Sequence, residues 1–159
     1  MAGAPTPAIA ALTRAKVAHT LHPYQHDPNT TAFGEEVVRA LSWPAERVFK
    51  TLVASVDGAL TVAIVPVAAQ LDLKALAAAA GGKKASMAKV ADAERSSGYV
   101  AGGISPLGQR TSLPTVIDVS ATAFDTVLVS AGRRGLQVEL PPADLVRLTR
   151  AIIAQIASG

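Results

Sequence analysis

The sequence predicts a mixed α/β domain over residues 1–159, a mostly antiparallel sheet surrounded by helices. Three observations carry this. Asp57-Gly58 stands between two strand-like runs, residues 48–56 and 60–67, the pattern of a tight hairpin. Gly132-Arg133-Arg134-Gly135 separates two further runs, 126–130 and 136–140, in the same way. Helical patterns lie at both ends and in the middle of the chain, but strands and helices do not alternate as a regular βαβαβ series, so a doubly wound nucleotide fold is disfavoured.

The elements follow in order. Thr6 suits an N-cap and Pro7 a first helical position, giving a helix over 7–17. Residues 18–26 read as extended, with Pro23 confining them to an edge or an end, and Asp27-Pro28-Asn29 is a turn. Residues 33–41 form a second helix, with Val37, Val38 and Leu41 as its apolar stripe and Glu35 and Glu36 at its favoured end. Pro44 opens a short helical turn before the first hairpin. Residues 71–80 have strong helix propensity and end at Gly81-Gly82. A short helix over 87–96 stops before Gly98. A glycine-rich loop follows, then strands over 115–119 and 126–130. Pro141-Pro142 opens a final helix to about 157, whose Leu145, Leu148, Ile152 and Ile156 would cover the sheet.

Composition narrows the function classes. Half of the residues are hydrophobic and only 17% are charged. Alanine supplies much of the apolar content, so helices should pack closely on small side chains. The chain has no cysteine, which excludes disulfides, thiolate metal sites and a cysteine nucleophile of its own, and fits a reducing cytoplasm. No segment has the length and apolarity of a membrane span, and residues 1–11 lack the basic and apolar regions of a signal peptide. A net charge of +3 permits a polyanionic partner without singling one out. Lys83-Lys84 and Arg133-Arg134 read first as solvated turns.

Two segments could carry chemistry. Strand alternation puts Val48, Lys50, Leu52 and Ala54 on one face and Phe49, Thr51, Val53 and Ser55 on the other. An ammonium among apolar neighbours needs a partner, a cleft or water. Lys50 is then either a snorkelling lysine guarding a sheet edge or a cation gripping an anionic or carbonyl-bearing ligand. The second segment runs from Gly102 to Gly108, with three glycines and Pro106 in seven residues. Such a loop can present backbone N–H groups to a carbonyl, carboxylate or phosphate. It matches neither the phosphate-binding nor the dinucleotide-binding glycine motif. His19, His22 and His26 cluster near Tyr24 and Asp27, but without a supporting carboxylate set or helical metal motif a hydrogen-bonding role is expected for them, and no metal site. No serine sits in a nucleophile elbow.

Four segments occur in a telling order: Leu21-His22-Pro23-Tyr24-Gln25-His26-Asp27-Pro28, Val48-Phe49-Lys50-Thr51-Leu52, the loop from Gly98 to Gly108, and Val129-Ser130-Ala131-Gly132-Arg133-Arg134-Gly135-Leu136. Together they resemble the YbaK (EbsC) family of bacterial Cys-tRNA(Pro) deacylases, free-standing relatives of the editing domain inserted in bacterial prolyl-tRNA synthetases. The resemblance runs over nearly the whole chain. It implies a partly barrel-like sheet surrounded by helices, and hydrolysis of the ester joining a wrongly attached cysteine to tRNA(Pro). It implies that Lys50 is the key lysine, that Gly102, Gly103, Ile104, Ser105, Pro106 and Gly108 belong to the loop holding the aminoacyl group, and that Tyr24, Thr51 and Ser130 are pocket residues. Gln137 stands where some relatives carry an acidic residue. The resemblance implies no metal and no cofactor. It suggests that the substrate's own sulfur attacks its carbonyl, releasing a cyclic thiolactone. Aminoacyl-tRNA is the expected partner, with prolyl-tRNA synthetase a second candidate. A module that binds charged tRNA or a synthetase without hydrolysis, and a deacylase of other specificity such as Ala-tRNA, are the alternatives. Lys83, Lys84, Arg110, Arg133 and Arg134 are the candidate tRNA contacts.

Overall fold

The computed structural model describes residues 5–159; residues 1–4, part of the stretch read for a signal peptide, lie outside the described residues. In chain order the elements are α1 (Pro7–Arg14), β1 (Thr20–Pro23), α2 (Phe33–Leu41), β2 (Phe49–Val56), β3 (Ala59–Pro66), β4 (Gln70–Leu71), α3 (Leu73–Ala79), β5 (Ala85–Met87), α4 (Val90–Ser97), β6 (Thr115–Asp118), β7 (Val127–Arg133), β8 (Leu136–Leu140), α5 (Pro142–Thr149), β9 (Ile152–Ala154) and β10 (Ala157–Ser158). A 3₁₀ turn, Val119–Ala123, follows β6.

Both expected hairpins form. β2 and β3 pair antiparallel from Phe49–Pro66 to Val56–Ala59. Asp57 and Gly58 at their turn have φ of 49 and 87°, the positive values that a tight two-residue hairpin requires. β7 and β8 pair antiparallel, with a bulge between Ser130 and Arg133. The larger sheet has the order β5-β2-β3-β6-β9, and a second sheet has the order β1-β8-β7. Val48 and Leu128 form a bridge between them, and Leu128 donates its N–H to the Arg47 carbonyl at 3.0 Å. The sheets thus curve around a shared core, with β5 and β9 remaining as edges of the larger one. Pairing is mostly antiparallel; β6 is parallel to both β3 and β9.

Alternation on β2 and β3 divides the core. Phe49, Val62 and Ile64 join α1, β7 and β8 in one cluster. Ala54, Val56, Ala63 and Val65 face Leu76 and Ala77 of α3 in another. A third cluster holds α2 against the sheet through Val37, Val48 and Leu128, with Tyr24 and Trp43 packed on it. Thr6 caps α1 by accepting the Ile9 N–H at 3.2 Å, and its hydroxyl donates to the Ala131 carbonyl, tying the helix to β7.

Three helix expectations need correction. The first helix stops at Arg14, because Lys16 turns left-handed with φ 57° and Val17 bonds back to Leu12. Residues 85–87 pair with β2, so the helix expected from 87 begins at Val90. The final helix ends at Thr149, eight residues short of its expected limit of about 157. Arg150 is left-handed, and Ile152–Ala154 pair in parallel with Val116–Asp118. The Asp118 carboxylate accepts the N–H groups of Ile156 and Ala157, both at 2.9 Å. Ile156 is fully buried, but as part of an extended segment packed among the α3-side cluster.

Candidate active site

A cleft of about 310 Å³ opens where β2, the start of α2, the start of α4 and the glycine loop meet. Residues 48–53, six in succession, line it. Consecutive strand residues point to opposite faces, so a cleft touching all six lies along the strand's edge. The pairing explains why. β3 occupies one edge of β2 throughout, whereas β5 occupies the other only from Ala54 to Val56. The uncovered length is where Lys50 and Thr51 stand.

Lys50 is half-buried and makes no hydrogen bond or ion pair with any described residue. Burial pushes its pKa down, partly opposed by the negative charge of Glu35 on α2. Beside it, the hydroxyl of Thr51 is buried and has no hydrogen-bond partner among the described residues. A buried polar atom without a partner costs about 1–3 kcal/mol and is rare in folded proteins. Gly102 and Ile104 bring the glycine loop to the cleft. Among the described residues nothing accepts the N–H of either. Ser130 and Gln137, paired across β7 and β8, line the inner wall. The cleft therefore offers a cation and backbone donors, with the buried Thr51 hydroxyl beside them, all unpartnered among the described residues. It is suited to an oxygen-rich or anionic group.

Of the residues singled out in the sequence, Lys50, Thr51, Gly102, Ile104 and Ser130 come together around this cleft. Tyr24, Gly103, Ser105, Pro106 and Gly108 are not on its lining. Tyr24 packs on the third core cluster, behind the wall. Burial raises the pKa of its phenol and nearby Glu36 adds to this, while hydrogen bonding to the Gly135 backbone and the Gln137 side chain opposes them. Gly103 is buried; a Cβ there would lie 2.8 Å from the Arg133 backbone. The Ser105 hydroxyl is fully buried and accepts the Leu107 N–H. Pro106 and Gly108 border a separate depression with Thr111 and Arg150, and a Cβ on Gly108 would meet the Pro7 carbonyl oxygen at 2.5 Å. One half of the loop thus faces the cleft and the other anchors the loop to α1 and the β7–β8 turn.

The histidines are each engaged locally. His19 Nδ1 bonds the Val17 carbonyl at 2.8 Å, His22 Nε2 the Glu139 carboxylate at 2.8 Å, and His26 Nδ1 the Glu36 carboxylate at 2.7 Å. Among the described residues no three His, Asp or Glu side chains converge as a metal site. Glu36 also accepts the Asp27 N–H at 2.7 Å. Burial alone would raise its pKa, but these donors hold it below the usual carboxylate value. This contact pins the β1–α2 connection and fixes where α2 begins.

Sequence reasoning missed the apolar part of the cleft. Phe33 lines it from the first turn of α2, and Met87 and Val90 form an exposed rim from β5 and α4. These residues read as ordinary helix and strand positions. Only the exposure of Met87 and Val90, 49% and 61%, sets them apart.

The chain belongs to the aminoacyl-tRNA editing domain family, whose pattern matches residues 26–148. It is 40% identical over 126 residues to a protein of Enterococcus faecalis named "Putative Cys-tRNA(Pro)/Cys-tRNA(Cys) deacylase EbsC", covering 78% of this chain and 76% of that one. The fold is shared with "Crystal structure of a putative trans-editing enzyme for prolyl tRNA synthetase", at TM-score 0.81 and 24% identity over 94% of each chain. It is shared too with the structure of "hypothetical protein APE2540", at TM-score 0.81 and 22% identity over 92% of this chain and 96% of that one.

Proposed function

We propose that this protein is an aminoacyl-tRNA deacylase that removes cysteine wrongly attached to tRNA(Pro). The observation that carries the reading is the cleft itself: Lys50, the Thr51 hydroxyl and the N–H groups of Gly102 and Ile104 have no partners among the described residues and gather around one space. Membership of the editing-domain family and the E. faecalis relative support the substrate class.

The aminoacyl ester lies against the open edge of β2. Its carbonyl oxygen accepts from the N–H groups of Gly102 and Ile104. These donors are worth most as negative charge develops on that oxygen; removing one such donor typically lowers the rate about a hundredfold or more. The Lys50 ammonium holds a substrate oxygen or the phosphate of the terminal nucleotide. Thr51 and Ser130 supply hydroxyls to the same group, and Tyr24 acts from behind through Gln137. The protein has no cysteine, so any thiol chemistry belongs to the substrate. The substrate sulfur attacks the ester carbonyl carbon, forming a C–S bond. The ester C–O bond breaks, the proton passes to the ribose oxygen, and the products are a cysteine thiolactone and free tRNA. Holding sulfur and carbonyl in register is a large effect by itself. The reaction needs no cofactor or metal in this reading. Its setting is the cytoplasm, and prolyl-tRNA synthetase, which makes the mischarged tRNA, is the protein partner to seek.

The test is a deacylation panel of Cys-tRNA(Pro), Ala-tRNA(Pro) and Pro-tRNA(Pro) with purified protein. Cysteinyl ester should disappear fastest and prolyl ester should persist. Cysteinyl-ester loss no faster than in buffer overturns the reading. Salt-sensitive binding of charged tRNA without turnover would instead identify a binding module.

A further inference from the structure

The first turn of α2 and residues 101–102 line one side of the cleft, and the turn between β7 and β8 meets them from behind. Their junction is the Ala101 backbone. Its N–H donates to Glu94 Oε2 of α4 at 2.8 Å, and its carbonyl accepts from Arg134 Nε at 2.7 Å. The Arg134 guanidinium also lies over the Phe33 ring, 5.0 Å from its centroid. Gly102 follows with φ 82°, and a Cβ there would lie 2.6 Å from two carbons of the same ring. Phe33 therefore contacts both the guanidinium and the glycine, and no residue larger than glycine fits.

The Ala101 carbonyl and the Gly102 N–H belong to one peptide unit. That unit is planar, and no cis peptide is present among the described residues, so the two groups point in opposite directions. Fixing the carbonyl fixes the N–H. A charged donor on the carbonyl also polarises the unit and strengthens its N–H as a donor. The Gly102 N–H has no acceptor among the described residues, and Gly102 lines the cleft. Arg134 is exposed, so the sequence reading as a solvated turn or a tRNA contact misses this inward bond.

From this geometry we infer that Arg134 is a positioning residue: clamped on Phe33 and Ala101, it aims and polarises the Gly102 N–H toward the substrate carbonyl. The inference rests on the deacylase reading and adds a residue to it. A direct phosphate contact by Arg134 is the competing role, and the two differ in what they predict.

The experiment compares wild type with Arg134→Ala, Arg134→Lys and Phe33→Leu, on Cys-tRNA(Pro) and on a short cysteinylated 3′-end fragment. Arg134→Ala should lower kcat about tenfold with KM little changed, a fraction of the loss from deleting an oxyanion donor outright. The loss should be equal on the fragment. Arg134→Lys should recover part of it, since lysine keeps the charge but not the planar fork. Added guanidinium ion should raise kcat of the Arg134→Ala protein but not of wild type. Phe33→Leu should show a smaller kcat loss of the same kind, and it decides the matter should Arg134→Ala fold poorly. Unchanged kcat in both variants overturns the inference and leaves the deacylase reading standing. So does a loss confined to KM, salt-sensitive and absent on the fragment. A wild-type protein without turnover overturns both.

Discussion

At the scale of single residues, the cleft holds polar groups at a cost in stability. The Lys50 pKa is lowered by burial, so the charged form is disfavoured in the folded state. The resulting penalty is present at every pH below the folded pKa and disappears as pH rises past the unfolded value. Lys50→Met should therefore abolish most deacylation while leaving the melting temperature at neutral pH unchanged or higher. A simultaneous loss of both would make Lys50 a structural residue. If the ammonium is needed in turnover, kcat/KM corrected for background hydrolysis should fall on the alkaline side below the ordinary lysine value of about 10.4. Lys50→Arg, where it retains activity, should move that fall to higher pH. Thr51 makes a parallel case. Its buried hydroxyl has no partner among the described residues, so Thr51→Val should cost no stability in urea titration and should raise KM several-fold, the loss expected when a neutral hydrogen bond of about 0.5–1.5 kcal/mol is removed. A destabilised protein with unchanged KM would argue against it.

At the scale of elements, local signals were legible wherever neighbours in sequence decide structure. Asp57-Gly58 dictates its hairpin because both residues reach positive φ there at low cost. Thr6 and Pro7 start α1 as caps do. Two of the three helix corrections fall where a distant strand competes with a helix. Ile152 continues the apolar stripe of Leu145 and Leu148, which predicts a helix that runs on, but Ile152 and its neighbour Ile153 lie in β9. Being β-branched, they serve equally well beside β6, and that edge recruits them. Arg150 carries the break in a left-handed conformation that costs a non-glycine residue about 1–2 kcal/mol. Arg150→Gly should raise stability by about 1 kcal/mol, read by chemical denaturation. A destabilising result would mean that the guanidinium has a structural role outweighing the strain.

At the scale of the whole molecule, Asp118 ties the C-terminal segment to the sheet. It is 4% exposed. Burial would raise its pKa, but hydrogen bonds including the N–H groups of Ser120, Ile156 and Ala157 outweigh this and lower it. With the folded pKa depressed, the carboxylate's contribution is full above the unfolded value of about 4 and is lost as pH falls through the folded pKa. Asp118→Asn should destabilise by about 2–3 kcal/mol at neutral pH and flatten the acid limb of the stability–pH curve. An unchanged acid limb would show that other carboxylates govern it.

The fold class, both hairpins, the chemistry denied by the absence of cysteine, and the two unusual segments around Lys50 and the glycine loop are all legible in the order of the amino acids. These follow from local conformational preference and from residue types, which the chain states directly. Contacts between distant segments set the rest: the cleft runs along the uncovered edge of β2, the glycine loop gives Gly102 and Ile104 to the cleft while Gly103, Ser105 and Gly108 anchor it, and residues 152–158 are extended. Each depends on how far one strand overlaps another, or on which segment a distant backbone group meets. Such contacts join residues far apart in the chain, and no local pattern encodes their register.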